Sequence, residues 1–104
     1  MRAAHRDMLP NRRSHEAVEF EHAGCRYVAG IGRFADGRLA EIFLNGAKNG
    51  SMADAVARDA AIVASLALQH GTPPDTLRKA LTRNTDGTAS GPLGALLDKL
   101  AAGQ

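Results

Sequence analysis

Apolar and polar residues alternate over the first half of the chain. Val18, Phe20 and His22 alternate with Glu19 and Glu21, which predicts a half-buried strand over 17–22. Ala23-Gly24 reads as a short turn. A second strand follows over 25–34, with Tyr27, Ala29 and Ile31 on one face and Val28, Gly30 and Gly32 on the other. Glycines inside a strand mark a bulge or the close approach of another backbone. "ADGR" is a hairpin turn, because Asp36-Gly37 supplies positive φ. A third strand spans 39–44, so short turns join three strands into an antiparallel meander.

At residue 51 the period changes from 2 to helical. Ser51 is placed to cap a long helix, with Asp54 three residues on as capping-box partner and four residues before Arg58. Gly71 is the natural stop. Val56, Ala60, Val63 and Ala67 make an apolar face that Ile62 and Leu66 widen, so the helix is expected to lie across the sheet mostly buried. A second helix starts at Thr72 as cap, with Pro73 near its first turn and Leu77, Ala80 and Leu81 facing inward. A polar loop, "NTDGTASG", leads to a third helix that opens at Pro92 and carries Leu93, Leu96, Leu97 and Leu100. The fold class is α+β: a three-stranded antiparallel meander, then one long helix and two shorter ones.

The 104 residues suit a single domain, read as 17–102, behind a basic arm over 1–16 that is expected to be partly disordered. Only four residues are aromatic (Phe20, Tyr27, Phe34 and Phe43), so Ala, Val, Ile and Leu must build the core. The formal charge of +2 sits on the arm, where Arg2, Arg6, Arg12 and Arg13 outnumber Asp7 and Glu16; elsewhere the charges cancel. An arginine arm can contact nucleic-acid or nucleotide phosphates, and the plainer reading is a solvated terminus. Cys25, the single cysteine, allows no intramolecular disulfide. There is no apolar secretory segment and no apolar run near the roughly 20 residues that span a bilayer, so a cytoplasmic setting without membrane contact is expected.

Two loops carry candidate chemistry. In "LNGAKNGS", glycines, the Lys48 cation and free helix N–H groups make Lys48, Asn49, Gly50 and Ser51 candidates for anion or nucleotide contact. The Walker spacing is absent, and a plain strand-to-helix turn explains the loop equally. "TRNTDGTASGP" has the same character and adds Arg83 and Ser90; whether both loops meet one ligand is not legible. His22-x-x-Cys25 is the nearest approach to metal-ligand spacing, and no metal site is assigned. No nucleophile–base–orienter set stands out: Ser65 reads as a small helix residue and Glu41 as strand surface.

The pieces "DGRLAEIFL", "GAKNGS", "SLALQHGTPPDTLRKAL" and "DGTASGPLGALLD" resemble the C-terminal region of adenosylcobalamin-dependent ribonucleoside-diphosphate reductases and small proteins of the TSCPD domain family. The likeness covers roughly residues 9–100. It implies a link to deoxyribonucleotide synthesis and DNA replication. Adenosylcobalamin and the paired catalytic cysteines belong to the full-length reductase, so the resemblance gives this chain no cofactor. With one cysteine it cannot run that oxidoreductase reaction alone. Thr88, Ala89, Ser90, Gly91, Pro92 and Leu93 correspond to the family's Thr-Ser-Cys-Pro-Asp motif, which is associated with a suspicion of metal binding. Ser90 and Pro92 match, while Gly91 replaces the cysteine and Leu93 the aspartate, so no metal carries over.

The resemblance implies a stand-alone accessory module whose partners are a reductase catalytic chain, a nucleotide, or both. Two alternatives stand beside it. One is a small nucleic-acid-binding protein using the arginine arm, with Tyr27 and Phe34 as stacking rings. The other is a structural module that forms a homodimer through the alanine-rich helix or an open sheet edge.

Overall fold

The structure, a computed structural model, describes Arg6, residues 15–46 and residues 50–103. Three strands, β1 (His15–His22), β2 (Cys25–Arg33) and β3 (Leu39–Gly46), form one antiparallel sheet in the order β1-β2-β3. Helices α1 (Met52–Gln69), α2 (Pro74–Ala80) and α3 (Pro92–Ala101) follow. This is the expected α+β meander, with β1 two residues longer at its start and β3 two longer at its end.

Turn chemistry sets the register. Ala23 and Gly24 both have positive φ, 51° and 77°, and join His22 to its partner Cys25 in a two-residue hairpin. In the second hairpin only Gly37 has positive φ, at 91°, and a bulge at Gly32/Arg33 absorbs the extra residue. The strand glycines admit side chains rather than a second backbone. A Cβ at Gly30 would lie 3.4 Å from the Phe43 ring, and one at Gly32 would lie 2.7 Å from Glu41 Oε2. Glu41, expected at the surface, is buried: Gly32 makes room for its carboxylate to meet His15 Nε2 at 2.9 Å across the sheet.

The core joins the inner sheet face (Tyr27, Ala29, Ile31, Ile42 and Leu44) to one face of α1 and to Leu93, Leu96 and Leu97 of α3. Phe20 stacks on Tyr27 at 5.5 Å. The long helix turns a different face to the sheet than its apolar pattern predicts. Its buried residues are Asp54, Ala57, Ala61, Ala64, Leu68 and Gln69. Val56, Ile62 and Val63 stay 58, 57 and 66 % exposed.

The physical reason lies on β3, an edge strand with unpaired backbone groups. Three polar side chains of α1 satisfy that edge. Gln69 Nε2 donates to the Ala40 carbonyl at 3.1 Å. Ser65 Oγ accepts the Ile42 N–H at 2.8 Å and lies 3.1 Å from the Ile42 carbonyl oxygen. Asp54 Oδ1 accepts the Gly46 N–H at 3.0 Å. Residues 40, 42 and 46 share parity, so their backbone groups point to the same side. At 100° per residue, 54, 65 and 69 fall on one side of the helix. The alanines between them let the backbones approach closely.

Helix ends follow the sequence in part. Ser51 Oγ accepts the Asp54 N–H at 3.1 Å, as expected of the cap. Gly71, φ 99°, ends α1, and Gly71 N–H to Leu68 O with Thr72 N–H to Ala67 O completes a Schellman closure. Thr72 therefore closes α1 instead of capping α2, whose N-cap is Pro73. No residue of α2 is fully buried: Leu77 and Leu81 are half-buried, and Ala80, expected inward, is exposed.

Ser65→Ala is expected to cost about 1–2 kcal/mol by leaving the Ile42 N–H without its partner, read from urea midpoints. An unchanged midpoint would show that the edge closure does not stabilise the fold. Asp54→Asn gives a pH test. The Gly46 N–H first, and then Arg58 at 3.0 Å, hold the Asp54 carboxyl below the usual range. A depressed folded-state pKa contributes stability above the unfolded value near 3.8 and loses it as pH falls through the folded value. The stability gap between wild type and Asp54→Asn should therefore be constant from pH 7 to about 5 and close below about pH 4. Ala23→Asn should raise stability by up to about 1 kcal/mol, because Asn tolerates the left-handed region better than Ala. The thermal midpoint reads this change.

Candidate functional site

An antiparallel meander returns the end of β1, the start of β2 and the end of β3 to one pole of the sheet. Tyr27 pairs with Gly46 there, and α1 begins just beyond. The α3 N-terminus reaches the same pole by another route. Residues 82–91 fold into a small closed hairpin in which Arg83 bridges Ala89 and Thr88 N–H caps on Asp86. Ser90 ends that hairpin, and its carbonyl accepts a hydrogen bond from His22 Nε2 at 3.1 Å. The two helix-opening loops that the sequence could not relate thus open at one end of the domain.

Between the β1–β2 turn and the start of α1 lies a cavity of about 340 Å³, lined by Cys25, Arg26, Tyr27, Gly46, Ser51 and Asp54 among others. Cys25 is a free, exposed thiol. Arg26 lies 3.7 Å from Glu19 and 3.5 Å from Glu21 in exposed pairs. Burial, then the nearby Cys25 and Asp54, push the Tyr27 phenol above its ordinary range. The lining thus offers an exposed thiol, a buried phenol and a satisfied carboxylate, beside an Arg26 guanidinium that is paired with Glu19 and Glu21. A smaller cavity of about 190 Å³ reaches from Val56 and Ala57 to Gly91 and Pro92, next to the α3 N-terminus. That terminus has no side-chain cap and no acidic residue in its first turn.

Ser51 lines the larger cavity while capping α1. Gly50, φ 79°, precedes it. Lys48 and Asn49 lie outside the described residues. Ser90 is at the same pole, its hydroxyl donating to Asn84 Oδ1 at 2.8 Å. Arg83 is turned toward α3. Its terminal nitrogens donate to Asp98 at 2.6 and 2.8 Å and to the carbonyls of Gly87 and Arg78. Asp98 is held low in pKa by Arg83 above all. Arg2, Arg12 and Arg13 lie outside the described residues, and Arg6 Nε donates to Gln69 Oε1 at 2.6 Å.

Tyr27 is 6 % exposed and offers no stacking face, and the Arg38 guanidinium sits 4.5 Å over the Phe34 ring. The exposed aromatic is Phe43, tilted against His15 at 5.6 Å. Arg26 was absent from the sequence candidates, and Cys25 and Tyr27 stood among them only as a metal-ligand partner of His22 and as a stacking ring. The signal was available, because alternate ends of a meander share a pole and the β1–β2 turn had to lie beside the end of the third strand. Register also sets His22 opposite Cys25. Among the described residues no three His, Cys, Asp or Glu side chains are grouped to hold a metal ion. A Cβ at Gly91 would meet nothing within 4 Å, so space does not exclude a side chain there.

A third concavity, about 500 Å³ and almost wholly apolar, runs between α1 and the following helices. Val56, Val63 and Ala67 line one side, and Leu77, Leu81 and Leu93 the other. Among the described residues, no helix is long and apolar enough to cross a membrane.

The chain is 36 % identical over 77 residues to the vitamin B12-dependent ribonucleotide reductase of Agrobacterium fabrum strain C58. The aligned part is 74 % of this chain and 6 % of the reductase, so the chain corresponds to a small piece of that enzyme. No solved structure matches. The TSCPD domain matches residues 8–102, from the arm through α3, and the chain therefore belongs to the TSCPD domain family.

Proposed function

We propose that this chain is an accessory module of ribonucleotide reduction, binding a reductase catalytic chain and contributing to deoxyribonucleotide synthesis through that contact. The observation that carries the reading is the likeness to a 6 % piece of a vitamin B12-dependent ribonucleotide reductase. So small a piece of a large enzyme corresponds to a module that acts on the rest, and radical reduction with paired cysteines is not available to a chain that has Cys25 alone. In this reading the cobalamin belongs to the catalytic chain, and the module works beside it in the cytoplasm.

The pole is the place for a nucleotide or other anion. Two helix N-termini open there, one without a side-chain cap, and Arg26 lines the cavity between them in exposed pairs with Glu19 and Glu21. Ser51, Gly50 and Ser90 supply polar contacts, and Lys48 and Asn49 continue the same loop in sequence. Arg83 acts in support: its bond to Asp98 fixes the hairpin that delivers Ser90.

The test is an affinity pull-down of the tagged chain from host lysate at moderate salt, with a nuclease-treated parallel. A reductase catalytic chain should co-purify and survive nuclease. Recovery of nucleic acid alone, or of partners that nuclease removes, would overturn the reading in favour of the arginine arm. Titration with a nucleoside triphosphate tests the pole: Lys48→Ala should weaken binding by about tenfold, the loss of one charge-assisted contact. Unchanged affinity would remove the anion site.

A further inference from the structure

The irregular register of β3 opens a hollow at the end of the sheet away from the polar cavity. The bulge at Gly32/Arg33 sets Leu39 opposite Arg33, and opposed residues of an antiparallel pair share a face. A cation and a buried leucine therefore stand side by side where the sheet meets the helices. Helix α3 brings Leu97, which is buried, and Leu100, which is half-buried, to the same place. Helix α2 brings Arg78. They border a cavity of about 360 Å³, a size within the range of small-molecule sites. An apolar floor with few charged groups holds a ligand's body by burial and sets its orientation by polar contact.

Two guanidinium groups decide the charge of that ligand. Arg33 donates from Nε to Glu16 Oε1 at 3.0 Å and from Nη1 to the Gly37 carbonyl at 3.2 Å. Arg78 donates from Nε and Nη2 to Asp75 Oδ1 at 3.0 and 2.6 Å. Its Nη1 lies 3.5 Å from Asp98 Oδ1, longer than a charge-assisted hydrogen bond. Each arginine thus keeps one terminal nitrogen, Nη2 of Arg33 and Nη1 of Arg78, without a hydrogen bond among the described residues. The ion pairs that run outward from the lining join Arg33, Arg78, Lys79 and Arg83 to Glu16, Asp75 and Asp98, which leaves one positive charge over.

We propose that this hollow binds a small carboxylic acid with an apolar or aromatic body. The carboxylate meets the two open guanidinium ends, and the body covers Leu39, Leu97 and Leu100. A single negative charge matches the positive excess, and a planar carboxylate suits the guanidinium fork. A phosphate ester fits less well, because its second charge would meet Asp75 on the wall of the same hollow. This inference stands independently of the reductase reading and of the nucleotide at the opposite pole.

Phenylacetate is the probe. Followed by amide chemical shifts in NMR, it should bind saturably in the millimolar range and move the amides of Arg33, Leu39, Leu100 and Ala101. Phenylacetamide, of the same shape without the charge, should bind about tenfold more weakly, the loss of one charge-assisted contact. Arg33→Gln should weaken phenylacetate by about the same factor and leave phenylacetamide unchanged, with circular dichroism reporting an intact fold. Ala101→Glu places a carboxylate on the wall at an exposed position and should also weaken phenylacetate. Absence of saturable binding would overturn the proposal, as would equal affinity for the amide or an affinity that neither variant changes. Tighter binding of phenethylamine would reverse the charge of the site, and tighter binding of phenyl phosphate would overturn the carboxylate assignment.

Discussion

The closure of the β3 edge by α1 is the constraint on which the rest of the structure depends. A three-stranded sheet has two edges, and a short domain cannot add strands to cover them. Here the cover is a helix that reaches the outer side of β3 with Asp54, Ser65 and Gln69. A buried, unpartnered backbone group costs more than a buried methyl group gains, so the polar side chains dictate which face turns inward. The alanines at 57, 61 and 64 follow from the same need, because larger residues would hold the helix too far away for a serine hydroxyl to reach the strand.

That choice limits what could be read from the chain alone. Strand alternation, the Ser51 cap, the Gly71 stop and the proline start of α3 are local signals, and they gave the element order correctly. The facing of α1 is not local. Counting apolar side chains points to Val56 and Val63, because hydrophobicity measures transfer from water and ignores hydrogen bonds owed to a neighbouring strand. Glu41 was hidden for a related reason. Alternation places it on the outer sheet face, which reads as solvent. Only the three-strand register reveals His15 opposite Gly32 and a carboxylate enclosed above the missing side chain.

The candidate site was legible in the same uneven way. Glycines and a helix start identified Gly50 and Ser51, and Ser90 is found at the same pole. Arg83 looked available because its partner lies fifteen residues further on. In the fold that partner, Asp98, takes both terminal nitrogens and locks the hairpin between α2 and α3. Cys25, Arg26 and Tyr27 all fall in the second strand by sequence, where Cys25 reads as a partner of His22 and Tyr27 as a stacking ring. Topology, not composition, makes them neighbours of the α1 N-terminus.

The two exposed features of the domain have one origin. With few aromatic residues and an alanine-faced helix, the buried core is small for the chain, and small domains have little stability to spare. The bulky residues that would have enlarged it stand on the outer side of α1. A side chain such as Val63, 66 % exposed, therefore adds little to the stability of the folded chain. The β3 edge thus sets both the apolar side that α1 leaves exposed and the place where its N-terminus borders the polar cavity.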